Sequence, residues 1–509
     1  MASIKSYFTA LCEKYKDNIA FTVSEKGGDK NISFSELYDS VSALSSALSG
    51  YAGKRIIVTG KNSYYWALSA LGVLCAGAHL VPVDQSLPDS EFCRIALRSE
   101  AEMIIYSDEM SEKVSALNIK AKLSMKSLSD FAKKGDMPET EPDGDGLSVL
   151  MFTSGTTSAS KAVMLSANNI LSNIYAMQEC ENFYETDVNL ALLPYYHAFG
   201  LTSMLLFLGC GMRSVYAKGL RIKKALSDYK VTVFVGVPLI LDRIKESAES
   251  AIEKSGKKPL FSAMTGLSHA LLKIGIDARS LIFSSICKKI GALRLVISGA
   301  APLSKSTIRF FDDIGILLIQ GYGMTETSPV ISAERENERR IGSVGKPMPG
   351  VDVKIGSPNG EGVGEILVKG PNVMLGYMGE EDQPFCDGYL KTGDLGYIDP
   401  DGFIFIRGRS KNVLVLKNGK NVYPEELESL MNALPGITES VAYLSPDSKT
   451  VSAIAVYDPE STTEEDAARA IESLNLNLSE YKKLRHIKVT TEPFPKTSTG
   501  KIKRNEIVR

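Results

Sequence analysis

Strand and helix signals alternate along the first hundred residues, and this alternation restricts the chain to an α/β fold. The strand signals are short, apolar, β-branched runs at residues 19–23, 55–59, 80–83 and 103–106. Helical periodicity occupies residues 63–76 and 89–98, and Ser33 with Glu36 forms a capping box that opens an earlier helix. Because strands joined by helices build βαβ units, we expect largely parallel sheets.

At 509 residues the chain is longer than one hydrophobic core usually serves, so we expect at least two domains. A linker rich in Glu, Pro, Gly and Asp covers residues 137–146. From residue 351 to residue 407, short strands separated by Gly, Asp and Pro predict a small antiparallel β-subdomain. The signals that follow fit a compact α+β domain of about 100 residues. We therefore place the domains at residues 1–408 and 409–509.

The composition excludes several classes of protein. A formal net charge of −2 gives no electrostatic case for a nucleic-acid partner. Seven cysteines that never form CxxC fit reduced thiols in a cytosol, and four histidines argue against a His-rich metal centre. The sequence has no signal-peptide core and no apolar run long enough to cross a membrane. We expect a cytoplasmic protein with at most peripheral membrane contact.

The segment VLMFTSGTTSASKAV, residues 149–163, has the composition of a loop that binds a polyphosphate. An apolar strand leads into a run of hydroxyl side chains with one glycine and a lysine. Glycine lets the backbone approach an anion, hydroxyl and backbone N–H groups donate to its oxygens, and lysine supplies positive charge. The spacing differs from the GxxxxGK[ST] of P-loop NTPases. Taken alone, the segment could also be an ordinary polar surface loop.

Further segments of similar character follow. They are LPYYHAFG with His197, SGAAPL at 298–303, QGYGMTETSP with Tyr322, Thr325 and Glu326, KTGDLG with Asp394, and PKTSTGKIKR at 495–504. Each has a structural alternative, such as a loop histidine, a packed aromatic ring, a helix cap, a turn aspartate or a solvated tail. Their joint occurrence in this order favours the functional interpretation.

These motifs resemble those of the adenylate-forming superfamily, which comprises acyl-CoA synthetases, peptide-synthetase adenylation domains and beetle luciferases. The resemblance covers essentially the whole chain, includes GRSKNVLVLKNGKNVYPEELE after residue 407, and is strongest to bacterial long-chain fatty acyl-CoA synthetases. It implies a large N-terminal domain of two parallel-sheet α/β subdomains and a small β-subdomain. A small α+β C-terminal domain follows on a hinge.

The phosphate segment departs from the family's usual TSGTTGxPKG. Ser158, Ser160 and Ala162 replace Gly, Pro and Gly, while the hydroxyl donors and Lys161 remain. We expect phosphate binding to survive. Because Ser158 and Ala162 adopt positive φ less readily than glycine, we expect altered loop mobility.

The resemblance implies a reaction in two halves. A carboxylate and ATP give acyl-adenylate and pyrophosphate, and a thiol then displaces AMP. Lys501 would bridge the carboxylate and the α-phosphate, Thr325 would contact that phosphate, and Glu326 would hold Mg²⁺. The resemblance assigns the β- and γ-phosphates to Thr153, Ser154, Gly155, Thr156, Thr157 and Lys161.

The remaining roles also come from the resemblance. Adenine would lie between Gly299, Ala300 and Tyr322, and the ribose hydroxyls would bind Asp394 and Arg409. His197 would stand between the acyl pocket and the phosphates. Lys411 occupies the hinge position, and the loop around Gly419 would face the thiol after the C-terminal domain swings.

The expected substrate is a medium- to long-chain fatty acid, with an aryl acid as the next choice. The expected pocket draws on residues 196–207, 234–238 and 298–327, where no acidic residue is suitably placed to pair with an amino acid's ammonium group. The helices of residues 257–290 combine apolar and basic residues, and either pack on the main sheet or form a gate or membrane-surface patch.

The acceptor thiol belongs to coenzyme A or to the phosphopantetheine of a carrier protein, which the sequence does not separate. A luciferase-like oxygenase and a non-catalytic nucleotide-binding protein are less favoured alternatives. The presence of Lys161, Glu326 and Lys501 together favours an enzyme.

Overall fold

The computed structural model describes residues 3–25, 27–153, 160–217, 222–287, 290–301, 303–446, 449–496 and 502–508. They form two compact units. The first comprises the described residues of Met1–Thr153, Ser160–Asp352 and Lys369–Gln383, and the second those of Val353–Val368 and Pro384–Arg509. The hinge and the domain boundary after residue 408 stay predictions.

The strands of the described residues, in chain order, are β1 (Ile19–Glu25), β2 (Gly28–Ser33), β3 (Arg55–Thr59), β4 (His79–Val83), β5 (Met103–Tyr106), β6 (Ala121–Ser124), β7 (Leu147–Thr153), β8 (Lys161–Ser166), β9 (Val188–Leu190), β10 (Arg213–Tyr216), β11 (Val233–Gly236), β12 (Leu295–Ser298), β13 (Leu317–Gly323), β14 (Val330–Ala333), β15 (Lys346–Pro347), β16 (Asp352–Gly356), β17 (Gly364–Lys369), β18 (Gly376–Tyr377), β19 (Phe385–Cys386), β20 (Tyr389–Ile398), β21 (Ile404–Arg409), β22 (Leu414–Val415), β23 (Asn421–Val422), β24 (Ile437–Leu444), β25 (Val451–Tyr457) and β26 (Leu484–Thr490).

The α-helices of the same residues are α1 (Ile4–Lys14), α2 (Phe34–Ala47), α3 (Tyr64–Cys75), α4 (Asp89–Ser99), α5 (Ser111–Ser115), α6 (Leu128–Phe131), α7 (Ala167–Cys180), α8 (Ala198–Gly209), α9 (Ile222–Asp228), α10 (Pro238–Lys254), α11 (Lys258–Lys273), α12 (Arg279–Ile282), α13 (Ser284–Cys287), α14 (Lys305–Asp313), α15 (Pro424–Asn432), α16 (Glu464–Leu474) and α17 (Arg504–Ile507). As predicted, the capping box of Ser33 and Glu36 opens α2.

The first unit contains two mostly parallel sheets. One has the strand order β15-β14-β13-β12-β11-β9-β10-β1-β2, and its strands from β13 to β1 are parallel. The other has the order β18-β8-β7-β4-β3-β5-β6 and is parallel from β7 to β6. The predicted α/β class with parallel-sheet subdomains is confirmed.

Two helices of the first unit are apolar on almost every face, and both are buried along their length. In α3 every residue except Tyr65 is buried, and α8 is buried from Ala198 to Leu208 apart from Phe199. A helix that is apolar on all sides has no polar face for solvent contact, so its sequence predicts a buried position. Because α8 begins directly after His197, its burial fixes the position of that histidine's backbone.

The second unit begins with short antiparallel strands and ends in an α+β domain. Strands β17, β19 and β21 pair antiparallel with β20 in the small sheet. Further along, β25 pairs antiparallel with β24 and parallel with β26. A separate apolar core, which includes Leu427, Met431, Ala453 and Ile471, lies between this last sheet and its helices. Both the β-subdomain and the C-terminal α+β domain were predicted from the sequence.

All seven cysteines are free thiols, as expected for reduced side chains. Within the described ranges, no helix combines the length and the hydropathy that a membrane crossing requires.

Candidate active site

Three of the segments singled out in the sequence meet at one edge of the larger sheet. Strands β9, β11, β12 and β13 are consecutive neighbours and run parallel. The loops that carry His197, Gly299 and Glu326 follow the carboxyl ends of three of these strands, and Tyr322 lies at the end of β13. Ligands of open α/β sheets bind outside this edge, so the fold gathers residues that lie far apart in sequence.

His197 is the N-cap residue of α8. Its carbonyl accepts a hydrogen bond from Leu201 N at 3.0 Å, and its ring lies against Tyr196 with the ring centroids 4.6 Å apart. Burial raises the pKa of the Tyr196 hydroxyl above its ordinary value. The half-buried imidazole is therefore held by a buried helix on one side and an aromatic ring on the other.

The turn after β12 has two unusual backbone positions. A Cβ atom at Gly299 would lie 3.0 Å from the ring of Phe199, so glycine permits the close approach of that ring. Ala300 adopts φ +71°, a left-handed conformation that costs a residue with a Cβ about 1 kcal/mol or more. Strain of this kind persists where surrounding structure enforces it, and a ligand site is one such place.

Thr325 and Glu326 form a tight 3₁₀ turn, Thr325–Thr327, directly after β13. The turn is closed by Met324 N, which donates to the Pro329 carbonyl at 3.0 Å. Gly323 is required there, because a Cβ atom would lie 1.8 Å from the same carbonyl oxygen. Glu326 is buried, with 7% of its surface exposed.

Tyr377 links Glu326 to Lys161. The Tyr377 hydroxyl donates to Glu326 Oε1 at 2.7 Å, and the ammonium of Lys161 lies 4.3 Å from the centroid of the Tyr377 ring. This position follows from strand pairing, because Tyr377 in β18 is opposite Val163 in β8. Tyr377 was not among the site residues predicted from the sequence. The available signal was its Gly-Tyr pair, which repeats the Gly-Tyr pair at Tyr322.

Strands β7 and β8 form an antiparallel hairpin that brings Thr153 opposite Lys161. The carbonyl of Ser160 accepts a hydrogen bond from Arg98, whose guanidinium also lies over the Phe152 ring. Between the hairpin strands, the predicted phosphate ligands Ser154, Gly155, Thr156 and Thr157, together with Ser158, lie outside the described residues.

The expectation about Ala162 is wrong. Ala162 lies inside β8, opposite Phe152, and is fully buried. Extended backbone suits any residue with a Cβ, so this alanine does not restrict a loop. Ser160 is also buried, and its hydroxyl has no hydrogen-bond partner in the described part of the chain.

The residues present fit a magnesium ion held through substrate phosphates. In the described ranges no group of three or more His, Cys, Asp or Glu could hold a metal ion. A Mg²⁺ ion bound with a nucleotide needs only one or two carboxylates, because phosphate oxygens and waters complete its octahedron. Glu326 supplies one carboxylate, and its Oε2 has no donor among the described residues.

In the second unit, Asp394 and Arg409 form an ion pair. They are opposite each other in β20 and β21, and Arg409 Nε lies 2.7 Å from Asp394 Oδ1. The side chain of Asp394 is 7% exposed and that of Arg409 is 42% exposed. The pair holds the carboxylate in one orientation.

Lys411 and Gly419 lie just beyond that pair. Burial, followed by the charge of Arg409, lowers the pKa of Lys411. Gly419 has φ +78° in the turn between β22 and β23, where its N–H donates to the Leu416 carbonyl at 2.8 Å. A residue with a Cβ would be strained in this turn.

Lys501 lies outside the described residues, but both flanks of its segment are anchored. Lys496 and Ile502 form a β-bridge, and Lys503 N donates to the Pro495 carbonyl at 2.9 Å. Ile502 also packs on a small cluster that includes Phe494. The described residues therefore fix where this segment leaves the C-terminal domain and where it returns.

A model of the family described as AMP-binding enzyme matches residues 8–378, and the chain belongs to this family. It is an acid–thiol ligase of the AMP-forming type.

Two relatives are each 28% identical to the chain. The long-chain-fatty-acid–CoA ligase FadD15 of Mycobacterium bovis matches over 458 residues, which is 80% of this chain and 74% of the relative. The 2-succinylbenzoate–CoA ligase of Listeria monocytogenes matches over 488 residues, 94% of each chain. Among solved structures, ATP-bound MatB from Rhodopseudomonas palustris is 25% identical with a TM-score of 0.80, covering 99% of this chain and 98% of that one.

Proposed function

We propose that this enzyme activates a medium- to long-chain fatty acid. ATP and the acid would give acyl-adenylate and pyrophosphate, and the acyl group would then pass to the thiol of coenzyme A. The observation that carries the choice of acid is the uncharged lining of a small cavity beside α8, about 10 Å³ in volume, which must widen to admit an acyl chain. Its walls are Asn189, Leu190, Ala191, Leu192, Leu193, Tyr195, Gly200, Ser203, Met204, Phe207 and Val235.

The cavity's chemistry separates this substrate from others used by the family. A 2-succinylbenzoate has a second carboxylate, and an amino acid has an ammonium group. Burying either charge without a partner carries a large free-energy penalty. The lining offers only Asn189, Ser203 and the Tyr195 hydroxyl as polar side chains, and that hydroxyl is hydrogen-bonded to Tyr216 at 2.9 Å. An uncharged hydrocarbon tail needs no such partner.

The cavity shares some residues with the acyl pocket expected from the sequence. It includes residues from two of the three expected segments, 196–207 and 234–238, and none from 298–327. Gly200 and Ser203 place it within two turns of the histidine that begins α8. An acid bound there would present its carboxylate toward the edge where the nucleotide motifs lie.

In the first half-reaction a carboxylate oxygen attacks the α-phosphorus. The bond from that phosphorus to the oxygen bridging the α- and β-phosphates breaks, and pyrophosphate leaves. Two anions must meet, so positive charge has to be in place beforehand. Lys501 would bridge them, Thr325 would contact the α-phosphate, and Lys161 would contact the departing phosphates. Mg²⁺, held by Glu326, would neutralise phosphate charge.

The ribose and adenine would bind to Asp394, Arg409, Tyr322 and the Gly299–Ala300 turn. In the second half-reaction the thiol sulfur bonds to the acyl carbon, the acyl–oxygen bond breaks, AMP leaves, and the thiol proton passes to solvent. A swing of the C-terminal domain about Lys411 would withdraw Lys501 and present the Gly419 loop to the thiol.

A pyrophosphate-exchange panel tests the choice of acid. It would use acetate, octanoate, palmitate, benzoate, 2-succinylbenzoate and an amino acid, each with ATP and Mg²⁺. We expect exchange to be fastest with octanoate or palmitate. Faster exchange with 2-succinylbenzoate or the amino acid would contradict the proposal. Mass spectrometry of thioesters formed with coenzyme A or with a phosphopantetheinylated carrier protein then identifies the acceptor.

A further inference from the structure

Helix α11 is attached to the first unit by only one of its faces. Phe261 and Met264 pack on the unit's apolar core, and the rings of Phe261 and Phe283 lie 5.2 Å apart. Ser268 is the helix's single buried residue. The prediction that these helices pack on the main body is therefore correct for one side of α11.

The opposite side of α11 is apolar and exposed. Leu260, Ala263, Leu267 and Ala270 follow one another at spacings of three, four and three residues along one face. Ile274, four residues after Ala270, continues this face beyond the last turn. We call these five residues the α11 stripe. Leu260 and Leu267 are each 55% exposed, and Ile274 is 69% exposed. The outward face of a surface helix is ordinarily polar, so this face is adapted to contact something apolar.

Positive charge surrounds the stripe. Residues 254–276 contain four lysines and no Asp or Glu. Lys258 pairs with Glu253 at 3.2 Å, but both side chains are more than two-thirds exposed, so the pair is weak. Lys257 and Lys273, one at each end of α11, form no ion pair with a described residue. An occupant of the stripe would meet uncompensated positive charge at both ends.

We propose that the α11 stripe docks on an anionic lipid surface. Leucine, isoleucine and alanine would enter the boundary between headgroups and acyl chains, while the lysines contact anionic headgroups. The exposed apolar side chains continue past the helix, with Ile276 at 51% and Leu281 at 78% exposure. These residues extend the apolar surface beyond one face of one helix, which is all that a protein groove would bind.

A second copy of this chain is a poorer occupant. Antiparallel pairing of two α11 helices would place Lys257 near Lys273 of the other copy, and parallel pairing would place each lysine near its own equivalent. The helix has no acidic residue to offset either arrangement. Arg279 does not add to the positive charge, because Asp277 accepts from its Nε at 2.9 Å and from its second terminal nitrogen at 2.7 Å.

Vesicle sedimentation with the full chain tests the proposal without reference to catalysis. The vesicles would be phosphatidylcholine alone, or phosphatidylcholine with one-third phosphatidylglycerol. We expect strong binding to the mixed vesicles, weak binding to the neutral ones, and loss of binding in high salt. Replacing Lys257 and Lys273 by Glu should lower the partition coefficient about 30-fold or more, since each lysine near an anionic surface contributes about fivefold.

Matched variants separate the stripe from general surface properties. Lys133→Glu with Lys134→Glu makes the same charge change at two exposed lysines elsewhere. Leu267→Ser should weaken binding about tenfold, whereas Leu97→Ser, at a leucine 80% exposed on α4, should not. If Leu267→Ser fails to fold, the lysine variants carry the test.

Several outcomes overturn the proposal. They are failure of the wild-type chain to bind mixed vesicles, unchanged binding in both the lysine and the leucine variants, or equal losses in the control variants. A wild-type dimer that the Lys257 and Lys273 variants alter would identify a second copy as the occupant. Binding to an acidic protein but not to anionic vesicles would identify a protein groove.

Discussion

The hydroxyl of Tyr377 donates to Oε1 of Glu326 at 2.7 Å, across 51 positions of sequence. The same tyrosine carries the Lys161 ammonium over its ring, 4.3 Å from the centroid. Both contacts lie within the first unit and connect its two parallel sheets, since Lys161 belongs to β8 and Glu326 follows β13. One side chain thus orients both the proposed magnesium ligand and the proposed phosphate lysine.

We predict that Tyr377→Phe slows the adenylation half-reaction because it weakens the binding of Mg²⁺ by Glu326. The ring and its contact with Lys161 remain, but the carboxylate of Glu326 loses its donor. A hydrogen bond to a charged group contributes about 1.5–3 kcal/mol, so pyrophosphate exchange should slow by about 10- to 100-fold. A magnesium titration should show a raised requirement that excess Mg²⁺ partly relieves.

Tyr229→Phe is the control for that prediction, because the Tyr229 hydroxyl also donates to a carboxylate, Asp29 Oδ1, at 2.9 Å on the surface. It should leave the exchange rate and the magnesium titration unchanged. Equal behaviour of the two variants would contradict a positioning role for Tyr377.

We predict that Asp394→Asn impairs recognition of the ribose. Asparagine keeps the shape but weakens acceptance from ribose hydroxyls and from Arg409, so KM for ATP should rise about tenfold with a smaller change in kcat. Wild-type enzyme should prefer ATP over 2′- and 3′-deoxy-ATP, and the variant should lose much of that preference. Asp466→Asn, which disrupts an exposed 2.7 Å pair with Arg469, is the matched control. Undiminished discrimination between ATP and both deoxy analogues in Asp394→Asn would refute the assignment.

Much of the fold could be predicted because the strands are short apolar runs between well-marked helices. Strands β3 and β5 have the predicted bounds. The gathering of His197 and Glu326 at one sheet edge follows from parallel strands, which place their carboxyl ends together. Local pattern and connection rules are sufficient for these features.

Other features depend on pairings between segments distant in sequence. The antiparallel β8 strand and the addition of β18 to it bring Tyr377 to Glu326, and no local pattern encodes that register. Likewise, periodicity identifies both apolar sides of α11 but does not say which side the core covers. Phe261 and Leu260 are adjacent in sequence, yet the first packs on the core and the second is exposed.

We predict that Glu181→Gln stabilises the protein only at neutral and higher pH. Burial raises the pKa of Glu181 to about 7, and its Oε1 accepts from Glu336 N at 2.9 Å. The folded state holds the proton of Glu181 more tightly than the unfolded state does. The protonated side chain therefore contributes to the free energy of unfolding, fully below about pH 4.5, and this contribution is lost as pH rises through 7.

Glutamine resembles the protonated form of Glu181 and keeps an oxygen that can accept from Glu336 N. At pH 8 the variant should be more stable by about 1 kcal/mol, after allowance for solvent screening of a partly exposed group, which is roughly 1–2 °C in Tm. At pH 4 the two proteins should melt together. Glu179→Gln, which makes the same substitution at an exposed neighbour on α7, is the matched control. A Tm difference that is the same at both pH values would refute the role of Glu181 ionisation.

We predict that Lys501→Ala separates the two half-reactions. Loss of one preorganised positive group should slow adenylation by about 10²–10³, measured as pyrophosphate exchange. Thioester formation from pre-made acyl-adenylate and coenzyme A should be nearly unchanged, because Lys501 would be withdrawn by the domain swing in that step. Lys503→Ala is the control, since Lys503 pairs with Glu506 at 3.0 Å and has no proposed role. Equal loss of both half-reactions in Lys501→Ala would remove this assignment and the swing that depends on it.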